Sequence, residues 1–208
     1  MKKHKIELIS KPIVIKNKYF VTLDGGNQVY HTLDDNINEP IILIDNCQNV
    51  TIKNFILDGN KSGQTSENSN SRGSDIRNNC ISINCCQSVK IENCIVTNAI
   101  SGGIVPAFCD KIIIENCSSN NNYFDGIAVF KSNNIIINNC NIKSNIYSGV
   151  SIDGDCKKIT IKNSNIDDNK QWGIWFGPKQ NRRQITVFNC QINNNKFGKI
   201  GQGGTIIC

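Results

Sequence analysis

The sequence is short of the side chains and segments that most enzyme and membrane classes depend on. It has two histidines in 208 residues, His4 and His31, and both stand far from its repetitive part. The cysteines therefore have no imidazole nearby with which to complete a metal site, and no resident metal or cofactor is expected. No apolar stretch is long enough to span a bilayer. The opening MKKHKIELIS lacks the long apolar run of a signal peptide, so a cytoplasmic or intracellular location at synthesis is expected, with a virion as the alternative. Basic residues are scattered, with no run longer than Lys2-Lys3 or Arg182-Arg183, and no nucleic-acid motif accompanies the net charge of +6. That charge reads as solvated surface, or as a basic skin suited to a polyanion. Finally, no helical period competes with the strand pattern described next.

What the chain does have is one sentence written four times: GIVPAFCDKIIIENCSSNNNYFD, GIAVFKSNNIIINNCNIKSNIYS, GVSIDGDCKKITIKNSNIDDNKQW and GIWFGPKQNRRQITVFNCQINNN. The leading glycines Gly103, Gly126, Gly149 and Gly173 are 23, 23 and 24 residues apart, a solenoid period. Aligning on Asn54, Asn93, Asn116, Asn139, Asn163 and Asn189 produces two β-branched columns. They are Val50, Val89, Ile112, Ile135, Ile159 and Ile185, then Ile52, Ile91, Ile114, Ile137, Ile161 and Val187, with mixed residues between. Alternation with period two predicts a strand buried on one face. A period near 23 holds about three short strands, so each copy predicts one coil, stacked parallel on the last at about 4.8 Å. The anchor asparagines suit sharp bends in the left-handed region and can hydrogen-bond from coil to coil. A second column, Asn60, Asn122, Asn145, Asn169 and Asn195, supports the same turn logic. Ile13, Ile15 and Asn17 start the series, for about seven coils in a single domain spanning residues 1–208.

Eleven cysteines would ordinarily suggest a disulfide framework, but their positions form columns. Cys94, Cys117, Cys140 and Cys190 follow the anchors, and Cys47, Cys86, Cys109 and Cys156 precede them by seven residues, with Ser132 filling a gap. These read as inward-facing small side chains, free thiols acting as compact hydrophobes, in geometry poor for cross-linking.

The I-x-I-x-N-C and Gly-Ile columns give the chain, over nearly its whole length, a resemblance to the right-handed parallel β-helix, pectate-lyase-like superfamily. The resemblance implies an all-β, single-stranded right-handed solenoid. It also implies a wide choice of functions, since polysaccharide lyases, hydrolases, uronan epimerases, viral tailspikes and non-catalytic members share that fold. Members usually cover the first coil with an amphipathic helix, which residues 1–10 do not suggest. Open coil ends would then be covered by partner subunits, as in a homotrimer, or by the rest of a longer parent chain.

Irregular segments gather at one turn of the coil, with inserts at about 27–40 and 61–79 expected to stand side by side. Insertions on one edge of a solenoid mark a binding face. Beyond that turn each strand aims its second and fourth residues after the glycine outward, which gathers Tyr123, Phe130, Tyr147, Trp172 and Trp175 beside Asp125 and Asp153. Aromatic rings stack on sugars and carboxylates bond hydroxyls, so these seven are the candidate substrate-binding and catalytic residues. The competing reading makes the tryptophans capping or subunit contacts and the aspartates turn residues. As a catalytic pair the aspartates stand about five strand positions apart, roughly 15 Å, wider than an inverting glycosidase uses.

The paired aspartates, Gly-His-Gly and Arg-x-Lys of polygalacturonases do not occur in order, and Tyr123-Phe124-Asp125 only partly echoes the uronan epimerase signature. Asp153 and Asp155 with Lys131, Lys157 or Lys179 are a thin version of a calcium-dependent lyase site. His31, Asp34, Asp35, Arg72 and Arg77 are offered as completing a site across the groove. Together these features lead to the expectation of a carbohydrate-recognising protein whose partner is a polysaccharide, as a lyase, hydrolase or epimerase of an acidic glycan. The alternative is a non-catalytic structural or assembly protein of a virion or fibre.

Overall fold

In a computed structural model, which describes residues 5–27, 29–65 and 78–202, the chain winds into one right-handed parallel β-solenoid with three sheets. Sheet A has eight strands from Lys5–Ile9 to Gln191–Asn193, sheet B eight from Ile13–Lys16 to Gly198–Gln202, and sheet C seven from Tyr19–Asp24 to Ile185–Phe188. Within each sheet every neighbour is the equivalent strand of the adjacent coil, paired parallel and in register. Ile112, for example, lies between Val89 and Ile135. The seven coils counted from the anchor asparagines are followed by Gln191–Asn193 and Gly198–Gln202, which make an eighth, incomplete one.

The alternating columns belong to sheet C. From Val50 to Ile161 each inward residue is no more than 1% exposed, while its neighbours along the strand are partly exposed. Each buried isoleucine contributes about 1.5–3 kcal/mol, so stacking replaces the central core of a globular domain. All seven anchors, Asn17 to Asn189, have φ between 50° and 61°, the left-handed conformation expected at the bend.

In the second asparagine column Asn60 makes a left-handed bend, with φ of 45°, but the later members do a different job. Asn122, Asn145 and Asn169 are buried and do not have positive φ; the residues before them, Asn121, Ser144 and Asp168, make that bend. Their side chains form an interior ladder, with Asn122 Nδ2 donating to Asn145 Oδ1 at 3.0 Å, Asn145 to Asn169 at 2.9 Å and Asn169 to Asn195 at 2.8 Å. Each Oδ1 also accepts the backbone N–H of the preceding rung. The leading glycines make room for this ladder, since a β-carbon at Gly126 would overlap Ile142 Cγ2 and crowd Asn145 Nδ2.

The cysteine columns face inward as uncross-linked thiols. They are more than compact hydrophobes, because they cap the corner backbone. Cys109 Sγ donates to the Ala107 carbonyl at 3.1 Å and accepts the Cys86 N–H at 3.4 Å, and Ser132 continues the column by accepting the Cys109 N–H at 2.9 Å. Serine can replace cysteine there because both supply one donor and acceptor on a short stem.

Irregular segments follow the sheet A strands. Residues 29–33 of the first insert form the strand Val29–Leu33, leaving 34–41 irregular. This segment meets residues 60–65 of the second, with the Asn36 N–H on the Gly63 carbonyl and Asn60 Nδ2 on Asp35 Oδ1. Most of the second insert, with Arg72 and Arg77, lies outside the described residues.

Candidate functional site

Inward isoleucines and valines fix the orientation of sheet B, so its second and fourth positions face outward. The register stacks Ala128, Ser151 and Trp175 in one outward row and Ala107, Phe130 and Asp153 in the next. Over these rows lies a cavity of about 400 Å³, floored by Val105, Ala128 and Ser151. Phe124 forms one side, Phe108, Phe130 and Lys131 the other, and Asp125, Asp153 and Trp175 are also among the lining residues.

Four of the seven sequence-derived site residues, Asp125, Phe130, Asp153 and Trp175, therefore share one cavity. The other three lie around it. Tyr147 stacks on Phe124 at 4.6 Å between ring centroids, and Tyr123 meets Phe124 edge-on at 5.5 Å, so the tyrosines form an exposed rim behind the Phe124 wall. Trp172 lies over Gly198 and Gly201 of the last sheet B strand and meets Phe197 edge-on at 5.9 Å, where it covers the final coil.

Asp125 reaches forward one coil, accepting the Ser148 N–H at 2.8 Å and the Ser151 hydroxyl at 2.7 Å. Ser151 and Asp153 are neighbours on one face of a strand, so the Asp125 carboxylate leans onto the strand that carries Asp153. Asp153 Oδ1 accepts the Gly154 N–H at 2.7 Å. Asp155 pairs with Lys157 at 3.6 Å, and among the described residues no three His, Cys, Asp or Glu side chains converge as a metal-binding group.

Phe108 is a lining residue that pattern reading missed, and Lys131 entered it only as a base beside Asp153 and Asp155. Phe108 and Lys131 occupy the bend after sheet B in the left-handed conformation, with φ of 55° and 43°. A lysine or phenylalanine there is itself the signal, because bulky side chains are uncommon in that region. Phe108 and Phe130 meet edge-on at 5.6 Å, and the Lys131 ammonium sits 5.3 and 5.0 Å from their centroids, within cation–π range. No carboxylate lies within ion-pairing distance of it among the described residues. His31 cannot complete this groove. It points into the solenoid, buried against Phe55 at 5.1 Å, because its position on Val29–Leu33 is an inward one.

The sequence matches the family model described as right handed beta helix region over residues 40–207. No curated protein matches it by sequence. Among solved structures, the pre-mature gene product 12 of bacteriophage phi29 is similar with a TM-score of 0.67 and 19% identity, over 96% of this chain and 28% of that one. The periplasmic alginate epimerase AlgG gives 0.54 and 12%, over 97% of this chain and 44% of that one. The A-module of the Azotobacter vinelandii mannuronan C-5 epimerase AlgE6 gives 0.52 and 13%, over 93% and 68%. This chain thus spans less than half of the first two, and at these identities the likeness is one of fold.

Proposed function

The chain belongs to the right-handed β-helix family, and on that premise we propose that it recognises an acidic polysaccharide along the outer face of sheet B. The observation that carries this reading is the cavity in which Phe124, Phe130 and Trp175 supply apolar faces beside Asp125, Asp153 and Lys131, an ammonium with no ion-pair partner among the described residues. Sugar rings offer C–H faces to aromatics and hydroxyls to carboxylates, and a uronate carboxylate suits the lysine. Two of the similar folds are those of epimerases of mannuronan and alginate, which supports the same ligand class.

A second reading, hydrolysis of the bound chain, is favoured by two carboxylates, Asp125 and Asp153, lining one cavity, the residue type that an acid and base pair requires. One experiment addresses both readings. The protein is incubated with a panel of uronate and capsular glycans while absorbance at 235 nm, reducing ends and tryptophan fluorescence are followed. A fluorescence response without product supports recognition alone, and new reducing ends support hydrolysis. Silence in all three channels would leave a structural or assembly role in a virion or fibre.

A further inference from the structure

Outward side chains of sheet B lean onto the next coil, and what that coil offers decides whether a charge is neutralised or left open. Asp45 and Asp153 occupy equivalent fourth positions of their strands. Asp45 lies between Lys16 and Asn84 and is bonded to both, at 2.7 and 3.1 Å. Asp153 lies between Phe130 and, on the forward side, Gly177. A β-carbon at Gly177 would fall on the Asp153 carboxylate, so that carboxylate rests where a side chain is missing. Among the described residues, no hydrogen bond reaches its second oxygen. Lys131 repeats the arrangement one coil earlier, because a β-carbon at Gly154 would meet its Cγ.

Gly177 does not have positive φ, so its backbone does not call for glycine. Resting on the glycan reading above, we infer that Gly177 and Gly154 are positioning residues of the binding site. They seat the Asp153 carboxylate and the Lys131 stem one coil forward and keep both charges from being consumed by neighbouring side chains. A bound sugar then meets an acceptor and a cation at fixed places, with little ordering cost.

The test is a double-mutant cycle between Gly177→Ala and Asp153→Ala, read in thermal stability and in affinity for whichever acidic oligosaccharide binds wild type. Gly177→Ala is expected to lower the melting temperature with Asp153 present and to leave it unchanged in Asp153→Ala. It is also expected to weaken binding about tenfold, the loss of one charged hydrogen bond, with no further loss in the double variant. Equal stability effects of Gly177→Ala in both backgrounds would overturn the seat. A stability coupling with undiminished affinity would overturn the positioning role. If no glycan binds wild type, the recognition reading fails by itself, and the stability cycle still decides whether Gly177 seats Asp153. For Lys131 the matching variant is Gly154→Asn, since asparagine tolerates the φ of +84° and any loss then comes from crowding.

Discussion

Asn139 and Asn145 are the same residue type six positions apart, and substitution should rank in opposite order at the two. Asn139 sits at the outer bend with φ of 50°, and its side chain makes one exposed bond, to Asn116 at 2.8 Å. Alanine there carries about 1–2 kcal/mol of left-handed strain. Glycine avoids the strain and loses only an exposed bond and some unfolded-state entropy, together about 1 kcal/mol or less. Asn145 is fully buried in the ladder. Truncating it strands the Asn122 N–H that its Oδ1 accepts at 3.1 Å, and takes a donor from the Ser119 carbonyl and from Asn169 Oδ1. A stranded buried donor costs about 1–3 kcal/mol, and the vacated volume brings the total for Asn145→Ala to about 3 kcal/mol. Glycine adds backbone entropy on top, roughly 0.5–1 kcal/mol. Urea unfolding followed by far-ultraviolet circular dichroism and by fluorescence would measure all four variants. Glycine should exceed alanine at 139, and alanine should exceed glycine at 145. The same order at both sites, or a loss below about 1 kcal/mol for Asn145→Ala, would refute the division of labour between the columns.

Alkali should weaken the fold. Burial, helped by Asp58, pushes the Cys80 thiol from 9.0 up to about 12, and burial likewise pushes Cys156 up to about 11. The folded state holds these protons more tightly, so the stabilisation is complete below pH 9 and is lost as pH rises toward those values, by up to about 1.4 kcal/mol per pH unit for each thiol. The urea midpoint should therefore fall between pH 8 and pH 10, less steeply in Cys80→Ser; a flat profile would contradict the burial. In a Cys208→Ser background, Ellman's reagent should label the exposed Cys85 quickly and the eight buried thiols only on unfolding, whereas rapid labelling of several would mean the columns are open. Gly126→Ala should cost about 1–3 kcal/mol by overpacking against Ile142 Cγ2, and in an Ile142→Ala background, which lacks that methyl, it should cost less in thermal denaturation. Additive effects would show that the two do not meet.

Sheet C was legible because β-branched residues at period two recur in every coil, and the bends were legible because asparagine tolerates their backbone. Sheet A was not. Its strands Ser118–Asn120, Asn141–Lys143 and Asn165–Asp167 are three residues long, with only the middle one buried, too short for alternation to register. The eighth coil escaped notice because Gly198–Gln202 comes after the last anchor asparagine. At the site, alternation from the leading glycines placed Phe130, Asp153 and Trp175 correctly on the outer face. Distance along the coil does not show that the Asp125 side chain crosses to the next coil to reach Ser148 and Ser151. That forward lean is a property of stacking and leaves no mark in a linear pattern. Trp172 shows the same limit, since its indole follows the forward lean onto the final strand.

The central claim is that sheet B's outer face is where a polysaccharide lies. A crystal structure of the protein with the acidic oligosaccharide that binds it best tests this most directly. The account predicts sugar rings over Ser151 against Phe130 and Trp175, with a sugar carboxylate at the Lys131 ammonium. Ordered sugar on sheet A or sheet C, with the sheet B cavity unfilled, would contradict it.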